Sequence, residues 1–363
     1  MKKIICTVTN DLTYDQRMIR ICSSLAGAGY EVLLVGRRKK SSIPLQERTF
    51  QQKRLNCWLE KGKFFYIEYN IRLFFFLLFT SFDILNAVDL DTLLPGFLMT
   101  RLKRKKLVYD AHEYFTEVPE VVRRPRIQQL WEGLARFILP KLKDAYTVGP
   151  ELARLMGEKY GLNFQVIRNV PYRSQRAVDI EKSAPPILLY QGVLNEGRGL
   201  EHVIEAMQQL DGPELWLAGE GDLSELLRTQ VDQMQLTEKV KFLGYLPPEE
   251  LARLTPKAFL GLNLLENKGL SYYYSLANKC FDYIQAGVPS LQMDFPEYRA
   301  LNEEYGTFVL LKNLSPDTLV ESIRQLINDP DRYRHLKNNC LKAREALNWD
   351  KEEEKLLGVY RLL

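Results

Sequence analysis

The sequence predicts an α/β protein built from two open, parallel β-sheets flanked by helices. Three observations predict it. The chain is 363 residues long, beyond the size at which one hydrophobic core keeps growing, so two domains are expected. Short apolar runs alternate with helix-period stretches through both halves, and helix between strands means parallel pairing. Between the halves lies one polar break, Pro171 to Pro186, which holds Ser174, Ser183 and Pro185-Pro186 and has no apolar period.

In the first half, Lys3 to Thr9 reads as a strand. Gln16 to Ala28 reads as a helix, with Met18, Ile19, Cys22 and Leu25 at three- and four-residue spacing and Gly27 and Gly29 near its end. The continuous apolar run Glu31 to Gly36 reads as a strand buried on both faces. Asp83–Val88, Lys106–Tyr109 and Ala145–Val148 are further strands. In the second half the expected strands are Ile187–Tyr190, Glu214–Ala218, Val240–Leu243, Phe259–Leu264 and Ser290–Met293. The expected helices are Leu200–Leu210, Leu223–Met234, Pro248–Leu254 and Asn278–Ala286. The predicted division is an N-terminal domain over 1–172, a linker over 173–186 and a C-terminal domain over 187–340. A terminal helix within 341–363 is expected to return to the N-terminal domain.

Composition sets outer limits. At 46% hydrophobic and 26% charged, the chain is that of a globular protein. Five scattered cysteines with no CxxC pair fit reduced thiols in a cytoplasm, and three histidines leave little for a histidine-rich metal centre. Met1 to Cys6 begins like a signal peptide but reaches Asn10-Asp11 within a few residues, so it reads as a strand. The most apolar segment, Phe74 to Phe79, lies between Arg72 and Asp83 and falls short of the ~20 residues that span a bilayer. The aromatic run Phe64–Phe82 is read as helix core for most of its residues, with an exposed remainder. Charge is split: residues 1–180 hold 30 basic against 18 acidic side chains, and the rest 20 against 28. The basic half includes Arg37-Arg38-Lys39-Lys40, Arg101 with Lys103 to Lys106, and Arg123-Arg124 with Arg126. It suits an anionic membrane surface, a phosphorylated acceptor or a solvated face. Nucleic acid is excluded, since these cations are not interleaved with stacking aromatics in any module.

Three segments carry chemistry. Tyr190 to Gly199 (YQGVLNEGRG) follows a strand and opens a helix; glycines let backbone approach a ligand, and helix amides with Arg198 suit a diphosphate. Asn278 to Pro289 (NKCFDYIQAGVP) is a helix ended by Gly, with Asp282 one turn in. That carboxylate either complements the helix dipole or accepts ribose hydroxyls from a nucleotide whose phosphates sit on the free amides. Asp110-Ala111-His112-Glu113 follows a strand, at the carboxyl-end rim where α/β sheets bind ligands.

The order and spacing of these segments, with Asn10 to Arg17, Leu217-Ala218-Gly219-Glu220-Gly221 and Gly287-Val288-Pro289, resemble the retaining glycosyltransferases of family 4. The likeness is greatest to bacterial members that build surface polysaccharides. It covers nearly the whole chain and implies the GT-B fold, an α/β architecture of two Rossmann-like domains whose parallel sheets face across an interdomain cleft. It implies His112 at the donor sugar and reacting centre, Arg198 at the diphosphate and Asp282 at the ribose. Gly192, Ser275, Ala277, Asn278 and Lys279 fall where the family meets the donor. Asn10, Asp11, Asp15, Arg17 and Glu113 fall on the acceptor side. Three positions depart from the family pattern: Val193 replaces an arginine, Tyr274 a glutamate, and Asp282 is a shortened glutamate.

The resemblance implies transfer from a nucleotide sugar to a saccharide or lipid-linked saccharide, with no metal and no cofactor. The expected location is the cytoplasm, peripheral on the inner face of an anionic membrane. Two other classes stay open at this stage: a sugar-nucleotide epimerase of the same fold, and a degenerate, non-catalytic nucleotide-sugar binder.

Overall fold

The computed structural model describes residues 1–174 and 184–363. It divides into two compact units, Met1–Asn169 with Lys351–Leu363, and Val170–Asp350.

The first unit contains β1 (Lys3–Thr7), α1 (Gln16–Gly27), β2 (Glu31–Arg38), β3 (Gln51–Asn56), α2 (Gly62–Phe79), β4 (Ile84–Val88), α3 (Asp89–Lys103) and β5 (Lys106–Ala111). It continues with α4 (Pro119–Val122), α5 (Pro125–Ile138), β6 (Asp144–Thr147), α6 (Pro150–Tyr160) and β7 (Phe164–Val166). The strands form one parallel sheet in the order β3-β2-β1-β4-β5-β6-β7. Ile5, Leu33, Val35 and Leu85 from the sheet pack with Phe65, Tyr69, Leu73 and Leu77 of α2. Strand order reverses between β1 and β4, and a ligand crevice belongs at the carboxyl ends beside such a switch point.

The second unit contains β8 (Ile187–Gln191), α7 (Leu200–Ala206), β9 (Glu214–Ala218), α8 (Ser224–Gln233), β10 (Val240–Gly244), α9 (Pro248–Leu254) and β11 (Leu260–Asn263). There follow α10 (Leu270–Tyr273), α11 (Asn278–Gln285), β12 (Ser290–Met293), α12 (Pro296–Tyr305), β13 (Phe308–Leu311), α13 (Pro316–Asn328) and α14 (Pro330–Ala343). Its parallel sheet runs β10-β9-β8-β11-β12-β13, with its own switch point between β8 and β11. Gly261 of β11 leaves room for the ring of Tyr283, which a Cβ there would meet at 2.5 Å. The Tyr283 hydroxyl donates to Leu189 O at 2.9 Å, so α11 is clamped directly over β8 and β11.

Boundaries differ from the sequence reading. The division falls at Asn169–Val170, and α14, which begins inside the expected C-terminal domain, belongs wholly to the second unit. Of the expected linker, residues 175–183 lie outside the described residues. The last helix, α15 (Trp349–Arg361), enters the first unit from Lys351 onward. There Tyr30 donates its hydroxyl hydrogen to Tyr360 O at 3.2 Å, and Glu352 accepts from Arg168 N at 2.9 Å. The strands β3, β7 and β13 are additional to those expected. β3 (QQKRLN) buries only Leu55, as suits a polar edge strand.

Candidate active site

In the first unit, β5 delivers Asp110 into the interior and leaves His112 on the rim. Asp110 is fully buried between two cations. Arg17, from α1, donates through Nη2 to Asp110 Oδ1 at 2.8 Å and through Nη1 to Ile167 O at 3.0 Å. His112 Nε2 lies 3.0 Å from Asp110 Oδ2. The His112 backbone N–H donates to Asp89 Oδ1 at 2.9 Å, and Nδ1 stands 3.9 Å from Asp89 Oδ2. Asp89 holds this position at a φ of 54°, a left-handed conformation that aspartate tolerates better than most side chains. Next along α3, Asp91 accepts from Thr9 Oγ1 at 2.6 Å.

The electrostatics follow from this packing. Burial works against the imidazolium, but Asp110 and then Asp89 outweigh it and lift His112 to about 9. Burial also works against the Asp110 carboxylate, yet Arg17 and His112 hold it down at about 2. Asp91, without such a cation in contact, is pushed up by burial to about 7. His112 is therefore an imidazolium at neutral pH: a hydrogen-bond donor with one nitrogen already committed, and a poor general base.

Of the residues expected on the acceptor side, Asn10 and Asp15 are joined, Asn10 Nδ2 donating to Asp15 Oδ2 at 2.6 Å. Asp15 also caps α1 by accepting from Met18 N. Asp11 accepts from Thr13 N at 3.2 Å and from Ser42 Oγ at 3.2 Å. Glu113 is exposed on the rim. Arg17 is the correction: at 3% exposure it is a buried partner of Asp110 and offers no surface to an acceptor.

In the second unit, the loop after β8 and the start of α11 come together. Gly219 makes this possible: a Cβ there would lie 1.9 Å from Gly192 O, so only glycine lets the loops after β8 and β9 meet. Lys279, at the second position of α11, is 8% exposed. Its Nζ sits 3.7 Å from the Tyr190 ring centroid, beside Gly192, and has no hydrogen-bond partner among the described residues. Burial pushes its pKa well below the usual lysine range; Arg198 adds to that, while Asp282 opposes it. Arg198 lies over the Tyr272 ring at 4.8 Å. Asp282, one turn along α11, accepts from Gln191 Nε2 at 3.0 Å, and Gln191 Oε1 accepts in turn from Thr255 Oγ1 at 2.8 Å. Gly192, Arg198, Lys279 and Asp282 thus form one cluster.

Three expected donor contacts are placed differently in detail. Ala277 gives its backbone N–H to the Tyr298 hydroxyl at 3.0 Å. The Ser275 hydroxyl donates to Tyr272 O at 2.8 Å, and Asn278 is exposed at the start of α11. Tyr190 and Gln191 open the first of the three segments but were given no role, and Thr255 and Tyr298, which also contact the cluster, were not singled out by sequence. Gln191 had a signal, its place at the end of β8, but its partner is 91 residues away. Among the described residues, no group of three or more His, Cys, Asp or Glu is arranged to hold a metal ion.

The cluster in the second unit lies inside a segment with a recognisable family likeness. Residues 172–343 match the family model described as glycosyl transferases group 1. This part of the chain resembles that family, and the two-sheet architecture is of the GT-B type. The chain is 24% identical over 182 residues to an uncharacterised glycosyltransferase, MJ1607, of Methanocaldococcus jannaschii; the likeness covers 48% of this chain and 45% of that protein. The chain thus spans under half the length of this curated relative. Among solved structures it resembles the sucrose-phosphate synthase of Thermosynechococcus elongatus, with a TM-score of 0.80, 16% identity and coverage of 100% and 99% of the two chains. It also resembles Anabaena HepE in complex with UDP and glucose, with a TM-score of 0.77, 14% identity and full coverage of both chains. At these identities the structures establish the shared fold.

Proposed function

We propose that this chain is a retaining, metal-independent glycosyltransferase that moves a sugar from a nucleotide-sugar donor to a saccharide or lipid-linked saccharide acceptor. Its proposed setting is cell-surface polysaccharide synthesis on the cytoplasmic side of an anionic membrane. One observation carries the reading: Lys279, a buried amine without a hydrogen-bond partner among the described residues, stands at the start of α11 beside Gly192 and Arg198, inside the segment that matches the group 1 model. A nucleoside diphosphate supplies what that place lacks. Its phosphates would take the amine, the Arg198 guanidinium and the start of α11. The Asp282 carboxylate, oriented by Gln191 and Thr255, would accept from the ribose hydroxyls.

As the bond between sugar and diphosphate breaks, negative charge grows on the leaving phosphate, and fixed cations stabilise it without reorganising. The acceptor hydroxyl attacks from the face the diphosphate leaves, and the diphosphate oxygen takes its proton. His112, held as an imidazolium by Asp110, is proposed as a hydrogen-bond donor to substrate that removes no proton. Support for the nucleotide part comes from HepE, a relative in fold whose complex holds UDP and glucose.

A panel of nucleotides and nucleotide sugars tests the reading. A ligand present at about a hundred times its Kd should stabilise the protein by ~2.7 kcal/mol. Donor hydrolysis, or transfer to an added saccharide, should follow and persist after chelation of divalent metals. If no nucleotide shifts the melting temperature and no donor is consumed, the proposal fails. A non-catalytic nucleotide-sugar binder is the second reading, favoured by Val193, whose exposed side chain stands where the family has a cation. It predicts the thermal shift without turnover.

A further inference from the structure

The helices on one side of the first unit expose far more apolar surface than a solvated face needs. Along α2, Phe65, Tyr69, Leu73 and Leu77 pack inward, while Phe64, Ile67, Ile71, Phe75 and Phe79 form an exposed stripe on the other face. The sequence reading placed most of this run in the core; the structure exposes an apolar face as long as the buried one. The stripe continues onto neighbouring helices. α3 packs on α2 and exposes Leu94, Leu98 and Leu102 at four-residue spacing. α5 packs on α3, through Phe97 against Phe137, and exposes Leu130 and Phe137. Trp58, just before α2, is 85% exposed, and a groove of about 900 Å³ runs from it to Phe75. Contiguous apolar surface of this kind marks an interaction site.

Charge selects the partner. Every carboxylate on these three helices is engaged: Glu68 by Arg72, Glu132 by Lys159 and Arg136, and Asp89 and Asp91 in the site described above. At the end of α3 and around β5, Arg101, Arg104, Lys105, Lys106, Lys141 and Lys143 line a second groove that contains one acid, Asp144. Lys105 pairs with Asp83; Arg101 and Lys141 lie over the rings of Phe97 and Phe137, which ties this groove to the α3–α5 part of the apolar face. An apolar face bounded by cations matches the boundary between anionic headgroups and acyl chains.

We propose that the α2–α3–α5 face docks on an anionic lipid bilayer. Flotation with phosphatidylcholine vesicles, with and without phosphatidylglycerol, tests this on the full chain. The protein should float with the anionic vesicles at low salt and bind the neutral ones weakly. The exposed triple variant Ile67→Ser, Ile71→Ser, Phe75→Ser should lose binding by about tenfold or more, with its melting temperature and nucleotide-induced stabilisation unchanged. Arg101→Ser with Arg104→Ser and Lys106→Ser should lose the preference for phosphatidylglycerol. Failure to float with anionic vesicles, or equal flotation of the triple variant, overturns the proposal. So does a dimer in solution that the triple variant converts to monomer, because the face would then join two copies.

Lys279 carries a second inference, which rests on the donor-binding reading above. The groups around its amine are few: Tyr190 beneath it from β8, Arg198 from the loop, and Asp282 and Cys280 on its own helix. Tyr190 spends its hydroxyl on Val193 O, and Asp282 is engaged by Gln191. We infer that Lys279 gains a hydrogen-bonded counter-ion only when a diphosphate enters, so that donor binding draws a proton from solvent.

Titration calorimetry with UDP, GDP and ADP in HEPES and in Tris reads this directly. At about pH 8 the terminal phosphate, with a second pKa near about 6, is already ionised and contributes no proton of its own. The wild type should show proton uptake; Lys279→Met should bind more weakly with none; Lys279→Arg should bind with none, since arginine stays protonated. Nucleotide binding by the wild type without proton uptake overturns the inference and leaves the donor-binding reading standing, as does uptake that persists in Lys279→Met. Absence of binding by all three nucleotides removes the donor-binding reading itself.

Discussion

The two units each bury a basic side chain near the carboxyl edge of the sheet, and they treat it in opposite ways. Arg17 in the first is matched on the spot: Asp110 and the Ile167 carbonyl take its two terminal nitrogens, and Asp110 then orients His112. Lys279 in the second has no hydrogen-bond partner among the described residues; around it lie a ring face, a competing cation and the Asp282 carboxylate, which Gln191 already engages. Desolvating a charge costs several kcal/mol unless a partner is built in. The first unit has that partner in its own fold. The second leaves the place open, as a ligand site does. A closed network gives rigidity, and an open one gives affinity for whatever closes it.

Breaking the closed network should have the largest effect. Arg17→Met leaves Asp110 buried without its main counter-charge, and stability should fall by about 3–5 kcal/mol, read as a lower urea midpoint. Lysine at this position should rescue little, because one amine cannot replace the fork that reaches both Asp110 and Ile167 O. An unchanged midpoint would mean that Asp110 is solvated and the contrast between the units is false.

Arg198 sharpens the open side. Arg198→Ala should lose ~2.7–4 kcal/mol of transition-state stabilisation, about 10²–10³-fold in turnover, if the guanidinium faces the leaving diphosphate. Stability should change little, since Arg198 is only half-buried and stacks on Tyr272. Turnover within a few fold of wild type would remove Arg198 from the chemistry.

The fold was legible wherever strands are buried on both faces, as in Glu31–Gly36, because nothing else in a chain gives such continuous apolar runs. It was not legible at β3, whose Gln, Lys and Arg side chains suit an edge and read as loop, nor in the three-residue β7. The α2 run hid its two faces for another reason: with apolar residues all round, periodicity cannot say which stripe packs inward. At the site, Arg198 was visible because it lies between two glycines before a helix, Asp282 because it is a carboxylate one turn into a helix among apolar neighbours, and Lys279 through the family resemblance. Arg17 was misplaced because its partner lies 93 residues away, on a strand the sequence cannot pair. The Tyr298 hydroxyl that takes the Ala277 amide escaped notice for the same reason.

The His112 imidazolium adds a pH dependence to the closed network. Its pKa rises from an unfolded value of 6.5 to about 9 in the fold. The added stability is therefore complete below about pH 6.5 and is lost as pH climbs through about 9. Asp110, lowered from 3.8 to about 2, contributes above pH 3.8 and loses its share only as pH falls through about 2. Urea midpoints of wild type and His112→Ala should differ most between these limits, near pH 5–6, by about 1.5–3 kcal/mol. The gap should close toward pH 9. A gap that is constant with pH would mean that folding leaves the imidazole pKa unshifted.

Lys279→Met gives the smallest effect and the one of opposite sign. Removing one partner of a satisfied pair costs stability, whereas removing a buried amine that has no hydrogen-bond partner among the described residues relieves a desolvation penalty. Methionine keeps most of the volume against Tyr190, so packing survives. The free protein should gain about 1 kcal/mol in urea unfolding. With UDP present the order should reverse, because the wild type is stabilised by ligand and the variant far less. Destabilisation of the ligand-free variant on the scale of Arg17→Met would show that the amine already has a partner, and the two units would then be alike.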